Sequence, residues 1–144
     1  MRVTIPINPM GTVRTTSGMI KRIKYKLYGP EDKKALKVIE YLSYKNAISW
    51  ETKAQIQHKE PWTGPIELNL TCFIPMPDSW SEKKKRTMEG KRHTQKPDRD
   101  NLEKGVCDAL NKIVWKDDGQ VCDGRTSKYW SRTGRIEIEI KEIS

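Results

Sequence analysis

Residues 96–121, KPDRDNLEKGVCDALNKIVWKDDGQV, hold six carboxylates in a chain with 28 lysines and arginines against 19 acids. Such a local reversal of sign points to chemistry. Pro97 disfavours the helical region for Lys96, so the chain is expected to enter extended, with Asp98 and Asp100 on the same side. Asp100 is also a suitable N-cap, and Glu103 three residues on completes a capping box, which predicts a helix from about 101 to 112. Leu102, Val106, Ala109, Leu110 and Ile113 then form one apolar stripe, while Asp100, Lys104 and Asp108 line a different face at i, i+4 spacing. Lys104 sits one turn from the paired carboxylates.

A helix of that length runs roughly 18 Å at ~1.5 Å per residue. The steps from 112 to 118, if extended, cover roughly 20 Å at ~3.3 Å each. Asp117 or Asp118 can therefore just return to the helix start. Three or four carboxylates with no histidine or cysteine pair nearby make an all-oxygen site, which suits Mg²⁺ or Mn²⁺ rather than zinc. The plain alternative is structural. Acids at a helix start are favoured by the dipole and by capping alone, and Asp117-Asp118-Gly119 is an ordinary turn signal. Spacing alone leaves both readings open.

The segments K-P-D-R-D-N-L-E-K (96–104), D-A-L (108–110) and D-D-G-Q-V (117–121) resemble the hallmark of the RusA family of Holliday junction resolvases: K-P-D-x-D-N-L-x-K, then D-A-L, then D-D-x-Q-V. A weaker likeness runs from 66 to 128. The resemblance implies that Asp98, Asp100 and Asp118 are metal-binding catalytic carboxylates and that Lys104 is an accessory catalytic residue acting as base or charge. Asp108 and Asp117 match recurrent positions to which it assigns no role. It further implies Mg²⁺ as cofactor with Mn²⁺ as substitute, four-way junctions as substrate, a homodimer that cuts them symmetrically to leave ligatable nicks, and a prophage origin. Arg99 stands where an apolar residue is commoner in that family, and the basic stretch after Arg14 has no clear family signature.

The remaining chain must position these groups. Its 144 residues suit one domain, 1–144, around a single core. A net charge of +9 points to a polyanionic partner, with a merely soluble basic protein as the plain alternative. No run approaches the ~18 apolar residues of a membrane span, and MRVTIPINPM lacks the build of a signal peptide, so a cytoplasmic protein without membrane association is expected. Cys72, Cys107 and Cys122, odd in number and without a C-x-x-C pair, fit reduced structural thiols. His58 and His93 are too isolated for a zinc site.

Val3, Ile5 and Ile7 alternate with other residues and predict an opening strand, which Pro6 places at an edge or ends early. Arg14, Lys21, Arg22, Lys24 and Lys26 face no acid within 14–26 and predict either a loop or hairpin that contacts phosphate or a solvated surface loop. Glu31 and Asp32, after Gly29-Pro30, predict a long helix to about 58 whose Val38, Tyr41, Leu42, Ile48 and Ile56 pack on a sheet. Residues 66–74 alternate strictly and predict a central strand. Ser79 and Glu82 form a second capping box before a short helix ended by Gly90. Lys83, Lys84, Lys85, Arg86, Lys91, Arg92 and Lys96 face Glu89 alone, in a polar run expected to be mobile without a ligand. Residues 121–130 and 135–143 read as strands joined around Thr133-Gly134. Arg125, Lys128 and Arg132 add basic character beside Asp118. The order β-α-β-α-α-β-β predicts an α+β domain, a small mixed sheet of about four strands with helices packed on it.

Phosphodiester hydrolysis needs an attacking water, a stabilised pentacovalent transition state and a neutralised leaving oxygen, and divalent ions held by carboxylates supply all three. Arg14, Lys21, Arg22, Lys24, Lys84, Lys85, Arg86, Lys91, Arg92, Lys96 and Lys128 would hold branched DNA through its phosphates. The expectation is an Mg²⁺-dependent endodeoxyribonuclease acting on four-way junctions, with a noncatalytic, structure-selective DNA-binding protein on the same scaffold as the alternative. A D-x-D also opens the site of haloacid-dehalogenase-like phosphatases, but there it ends a buried hydrophobic strand, whereas the polar residues 91–97 precede it here.

Overall fold

The computed structural model describes residues 1–144. Its organising element is strand β2, Ile66–Pro75, in which Ile66, Leu68, Leu70, Cys72 and Ile74 are buried while the alternate residues are half-exposed. A strictly two-residue period makes one face of the strand apolar and leaves both edges free to pair. Along one edge runs β5 (Arg135–Glu142), antiparallel, and beyond it β1 (Arg2–Ile5), also antiparallel. The other edge takes β3 (Val121–Asp123) and β4 (Thr126–Ser131), both parallel to β2.

The single strand expected over 121–130 is thus two, and the sheet has five strands. The break is Gly124, at φ +127°, where a Cβ would lie 1.8 Å from the carbonyl oxygen of Leu68. Only glycine allows that approach. The strands joined through Thr133-Gly134 are not paired with each other, because β2 runs between them.

Two helices cover the apolar face. The first, α2 (Lys33–Gln55), is capped by Asp32, whose carboxylate accepts from Ala35 N at 3.1 Å. It buries Val38, Tyr41, Tyr44, Ile48 and Thr52. Tyr44 replaces the expected Leu42 and Ile56, which are only half-buried. The second, α4 (Arg99–Leu110), buries Leu102, Val106, Ala109 and Leu110 as the stripe predicts. Together with the sheet they form one cluster that includes Trp115 and Trp130. No helix is long and apolar enough to cross a membrane.

Residues 14–26 depart from the expected loop or hairpin. They contain α1 (Ser17–Lys24), started by the Thr16 hydroxyl accepting from Met19 N at 3.1 Å. This stretch has no two-residue alternation to sustain a hairpin, and a threonine cap is enough to begin a helix. The short helix α3 (Glu82–Met88) is capped by Ser81 rather than Ser79. The polar run after it is tied down along β4 rather than left loose. Gly90 N donates to Trp130 O (2.9 Å), Trp130 N to Lys91 O (2.9 Å) and His93 N to Lys128 O (3.1 Å). His93 is 4% exposed, and its ring lies 4.3 Å from that of Trp130.

Two measurements check these packing arguments. Gly124→Ala should cost ~3 kcal/mol in denaturant unfolding, since the new methyl group cannot be accommodated without moving β2; wild-type stability would show that the approach of Gly124 to Leu68 is not a constraint. Burial, aided by the nearby Lys128 charge, holds the His93 imidazole below its ordinary pKa. The folded state therefore keeps it neutral while the unfolded chain takes up a proton below about pH 6.5. Stability present above that pH should fall as the solution is acidified, and His93→Asn should flatten this part of the profile of unfolding temperature against pH. Parallel profiles would refute it.

Candidate functional site

Helix α4 begins earlier than its sequence suggests. Asp98, with φ −67° and ψ 151°, holds the N-cap position, and its side chain makes no capping hydrogen bond. Asp100 therefore lies inside the first turn, and the expected capping box with Glu103 is not formed. The carboxylate of Asp98 turns instead to Lys96, whose Nζ donates to Oδ2 at 2.9 Å across exposed surface. That hydrogen bond, with the charges of Lys96 and Lys128 behind it, holds Asp98 below the usual carboxylate range. Lys96 is held above its own usual value by Asp98 first, with a smaller contribution from Asp100. The loop that delivers Asp98 is fastened from β4, where Lys128 Nζ donates to Gln95 O (2.7 Å) and Pro97 O (2.8 Å).

Asp118 opens a 3₁₀ turn, Asp118–Gln120. Its Oδ1 accepts from the indole Nε1 of the fully buried Trp115 at 2.8 Å, which orients the carboxylate. Asp117 acts on the turn itself. Its side chain and that of Gln120 close a capping box, and Gln120 Nε2 fastens the turn to Trp62 O and Gly64 O, both at 2.9 Å. Burial raises the pKa of Asp118, repulsion from Asp108 and Asp117 adds to it, and the Trp115 hydrogen bond opposes it. Cys107 is pushed up to about 12, chiefly by burial and then by Asp118, Glu103 and Asp108.

Asp118 lies near enough to Cys107 and Asp108 for their charges to bear on one another. The extended return expected for 112–118 does not occur, because Lys112 adopts φ +67° and its N–H donates back to Trp115 O at 2.7 Å. Trp62 N also donates to Val114 O (2.8 Å) and Lys116 N to Trp62 O (3.1 Å), pinning the return to another loop. Asp100, Glu103 and Cys107 share one side of the helix at i, i+3, i+7. The acids therefore form a strip along α4.

As donors they are all carboxylate oxygens, the set that suits a hard divalent ion. Asp118 is raised chiefly by burial and further by repulsion from Asp108 and Asp117, and a bound cation relieves such repulsion. In that sense the residues fit Mg²⁺ or Mn²⁺. The side chains do not enclose one, however, since no three His, Cys, Asp or Glu groups come together as a metal-binding group.

Lys104 faces a cavity of about 390 Å³ with Arg14, Tyr41, Lys45 and Asp108. Tyr41 OH reaches Asp108 Oδ2 at 3.5 Å, and burial, then Asp108, pushes it up to about 12. Lys45 lies 4.9 Å over the Tyr41 ring. Thr12 Oγ1 donates to Asn101 Oδ1 at 3.1 Å, which lays the segment before Arg14 along α4. Sequence reasoning missed Tyr41 and Lys45 as part of this site. Their i, i+4 spacing on α2 was the available signal, but Tyr41 also reads as core.

Of the expected DNA-contacting residues, Arg14 reaches the Lys104 cavity, while Lys21, Arg22 and Lys24 lie on α1. Arg22 pairs with Asp32 and donates to Leu27 O at 3.3 Å, so its charge holds α1 to the start of α2. Lys84, Lys85 and Arg86 lie on α3, with Lys84 Nζ 4.1 Å over the Trp80 ring. Lys91 and Arg92 follow in the segment laddered to β4, and Lys96 pairs with Asp98.

Comparison with known proteins bears on this arrangement. Over 143 residues the chain is 29% identical to the crossover junction endodeoxyribonuclease rusA of Lactococcus phage r1t, covering 95% of this chain and 94% of that protein. It is 44% identical over 86 residues to the uncharacterized protein YqaN of Bacillus subtilis strain 168, covering 57% of this chain and 61%, less than two thirds, of that protein's length. The family described as Endodeoxyribonuclease RusA matches residues 6–141, nearly the whole chain and every acid of the strip on α4. The chain accordingly belongs to the RusA family of endodeoxyribonucleases, hydrolases that cut within DNA.

Proposed function

We propose that this protein is an Mg²⁺-dependent endodeoxyribonuclease, one domain over 1–144, that binds four-way junctions and resolves them by paired symmetric nicks as a homodimer. The observation that carries the reading is the row of acids on α4, with Asp98 and Asp100 at its head and the Asp118 carboxylate fixed by Trp115, in a chain of net charge +9. The phage relative's name supports the junction substrate and a phage-related origin. A substrate of host or phage DNA sets the cytoplasm as the place of action.

Asp98, Asp100 and Asp118 would hold Mg²⁺ or Mn²⁺. Bound there, a divalent cation supplies charge neutralisation at the phosphodiester and activation of the attacking water. The protein's own groups do the rest. Trp115 Nε1 fixes the direction of the Asp118 carboxylate. Lys104, with Arg14 and Lys45 beside it, offsets negative charge developing on the phosphorus oxygens. Lys84, Lys85, Arg86, Lys91 and Arg92, with Lys21 and Lys24 on α1, engage flanking backbone phosphates.

A second reading, a noncatalytic structure-selective DNA-binding protein, is favoured by one observation, that no three acidic, histidine or cysteine groups converge. Cleavage separates the two. With Mg²⁺ titrated against a synthetic four-way junction, wild-type protein should nick two opposed strands, and Asp100→Asn or Asp118→Asn should cut at least ~100-fold more slowly, as expected for loss of a principal electrostatic group. Folded wild-type protein that binds junctions without cutting them at any Mg²⁺ or Mn²⁺ concentration would establish the noncatalytic reading.

Binding and chemistry should also separate. Asp98→Asn removes a negative charge facing phosphate, so it should abolish cutting while junction affinity stays equal or rises. Replacing Lys84, Lys85 and Arg86 together with Gln should weaken binding to all DNA forms and flatten the slope of log K against log salt by up to ~0.9 for each duplex phosphate that the variant no longer engages. Loss of junction binding in the first variant, with an unchanged slope in the second, would overturn these assignments. A near-two-fold junction nicked on opposed strands is most simply served by a two-fold dimer. Light scattering should accordingly give about twice the 16.8 kDa of the chain, and a strictly monomeric active species would contradict this.

A further inference from the structure

The start of α4 has a second cavity beside it, distinct from the one containing Lys104. It holds about 330 Å³ and has no hydrophobic residue in its lining, which is formed by Arg92, Arg99, Arg125, Lys128, His93 and the Thr126-Ser127 pair. Four of these side chains are cationic and none is acidic. Arg92, Arg99 and Arg125 take part in none of the protein's ion pairs. Gathering four like charges in one lining is unfavourable, and an anion entering it relieves the repulsion.

Each cation is held there by the fold rather than by chance on a loose surface. Arg99 is the first residue of α4, between Asp98 and Asp100. Arg125 follows Gly124, the position only glycine can fill, and its N–H donates to Asn69 Oδ1 at 3.0 Å. Arg92 pairs with Tyr129 across an isolated bridge, with its guanidinium 4.9 Å over the Tyr129 ring. Lys128 spends two hydrogen bonds on Gln95 O and Pro97 O, which leaves its third proton to donate. His93 also lines the cavity, with most of its ring buried.

We propose that this cavity is a binding subsite for one DNA backbone phosphate flanking the scissile one, held by Arg92, Arg99, Arg125 and Lys128. The proposal rests on the nuclease reading above and adds to it Arg99 and Arg125, which serve as neither core nor ion-pair partners. Arg99 and Lys104, five residues apart on α4, project about 140° apart at 3.6 residues per turn. The two basic cavities therefore flank the acidic head of the helix from different sides. A strand with its scissile phosphate at Asp98 and Asp100 would have neighbouring phosphates engaged on both. Arginine suits this role because its planar fork presents paired donors to a phosphate.

The test is a binding measurement in EDTA, so that it stands whether or not the protein cuts. Full-length wild type, Arg99→Gln/Arg125→Gln and, as an equal-charge control, Lys53→Gln/Lys59→Gln are titrated with a four-way junction across a salt series. Unfolding temperatures confirm that each variant is folded. The Arg99/Arg125 variant should bind ~10-fold more weakly and lose ~0.9 from the slope of log K against log salt, whereas the control keeps both. Single methylphosphonate substitutions are then walked along each strand near the crossover. One position should weaken wild-type binding markedly and the Arg99/Arg125 variant much less, because only Arg92 and Lys128 then remain to sense that phosphate's charge. Wild-type affinity and slope in that variant, or a methylphosphonate profile identical to that of wild type, would overturn the proposal. Failure of wild-type protein to cut DNA in a separate assay with Mg²⁺ would instead count against the nuclease reading.

Discussion

Burial of the apolar stripe of α4 between α2 and the β4 side of the sheet is the constraint on which the acidic centre depends. Leu102, Val106 and Leu110 are wholly inaccessible, and at a rough 1.5–3 kcal/mol for each large aliphatic side chain their packing sets the rotation of the helix about its axis. Once that rotation is set, Asp100, Glu103 and Cys107 must lie along another side. Arg99 and Lys104 must diverge toward two different cavities. Trp115, also buried, then fixes the direction of the Asp118 carboxylate through its indole N–H. A slip of one residue in the stripe would carry every acid about 100° around the helix and dismantle the strip.

Electrostatics then divides the acids by environment. Asp98 is exposed and held below the usual carboxylate range by Lys96, with Lys128 assisting. Asp118 is partly buried beside other acids and raised. Pairs of titratable groups whose surroundings push their pKa values apart are a common mark of acid–base chemistry. The basic surroundings are equally structured. Arg22 braces α1 against the start of α2, and Arg132 reaches Glu82 on α3 at 3.0 Å. Arg92, Arg99, Arg125 and Lys104 have no such partner, and these unpaired cations surround the head of α4.

The helix-free face of the sheet carries a row in register across it. Arg135 on β5 lies opposite Phe73 on β2, and Phe73 lies opposite Tyr129 on β4. Arg92 then bridges to Tyr129. The Arg135 guanidinium lies 3.6 Å over Phe73, and Phe73 stacks on Tyr129 at 5.9 Å. Cation–π contacts of this kind, each worth on the order of 0.5–1 kcal/mol at exposed sites, help hold Arg92 at the mouth of its cavity.

By itself the sequence determined what depends on local periodicity and local chemistry. The alternation of 66–74 specified β2 and its buried face. The stripe from Leu102 to Leu110 specified α4, and Asp32 marked the start of α2. The motif of residues 96–121 identified the acids and their family. Tertiary structure decided what depends on distant partners. Gly124 breaks the strand of 121–130 because Leu68, far away in sequence, leaves no room for a side chain. The polar run after Gly90 is ordered because β4 offers it free hydrogen-bonding groups. The chain from 112 to 118 turns rather than running extended because Trp62 pins it, an interaction that helix length and extended reach could not reveal. Arg99 and Arg125 become neighbours only when β4 packs beside the start of α4. Periodicity records which face of an element is buried, and the identity of the partner across that face enters only when the elements assemble.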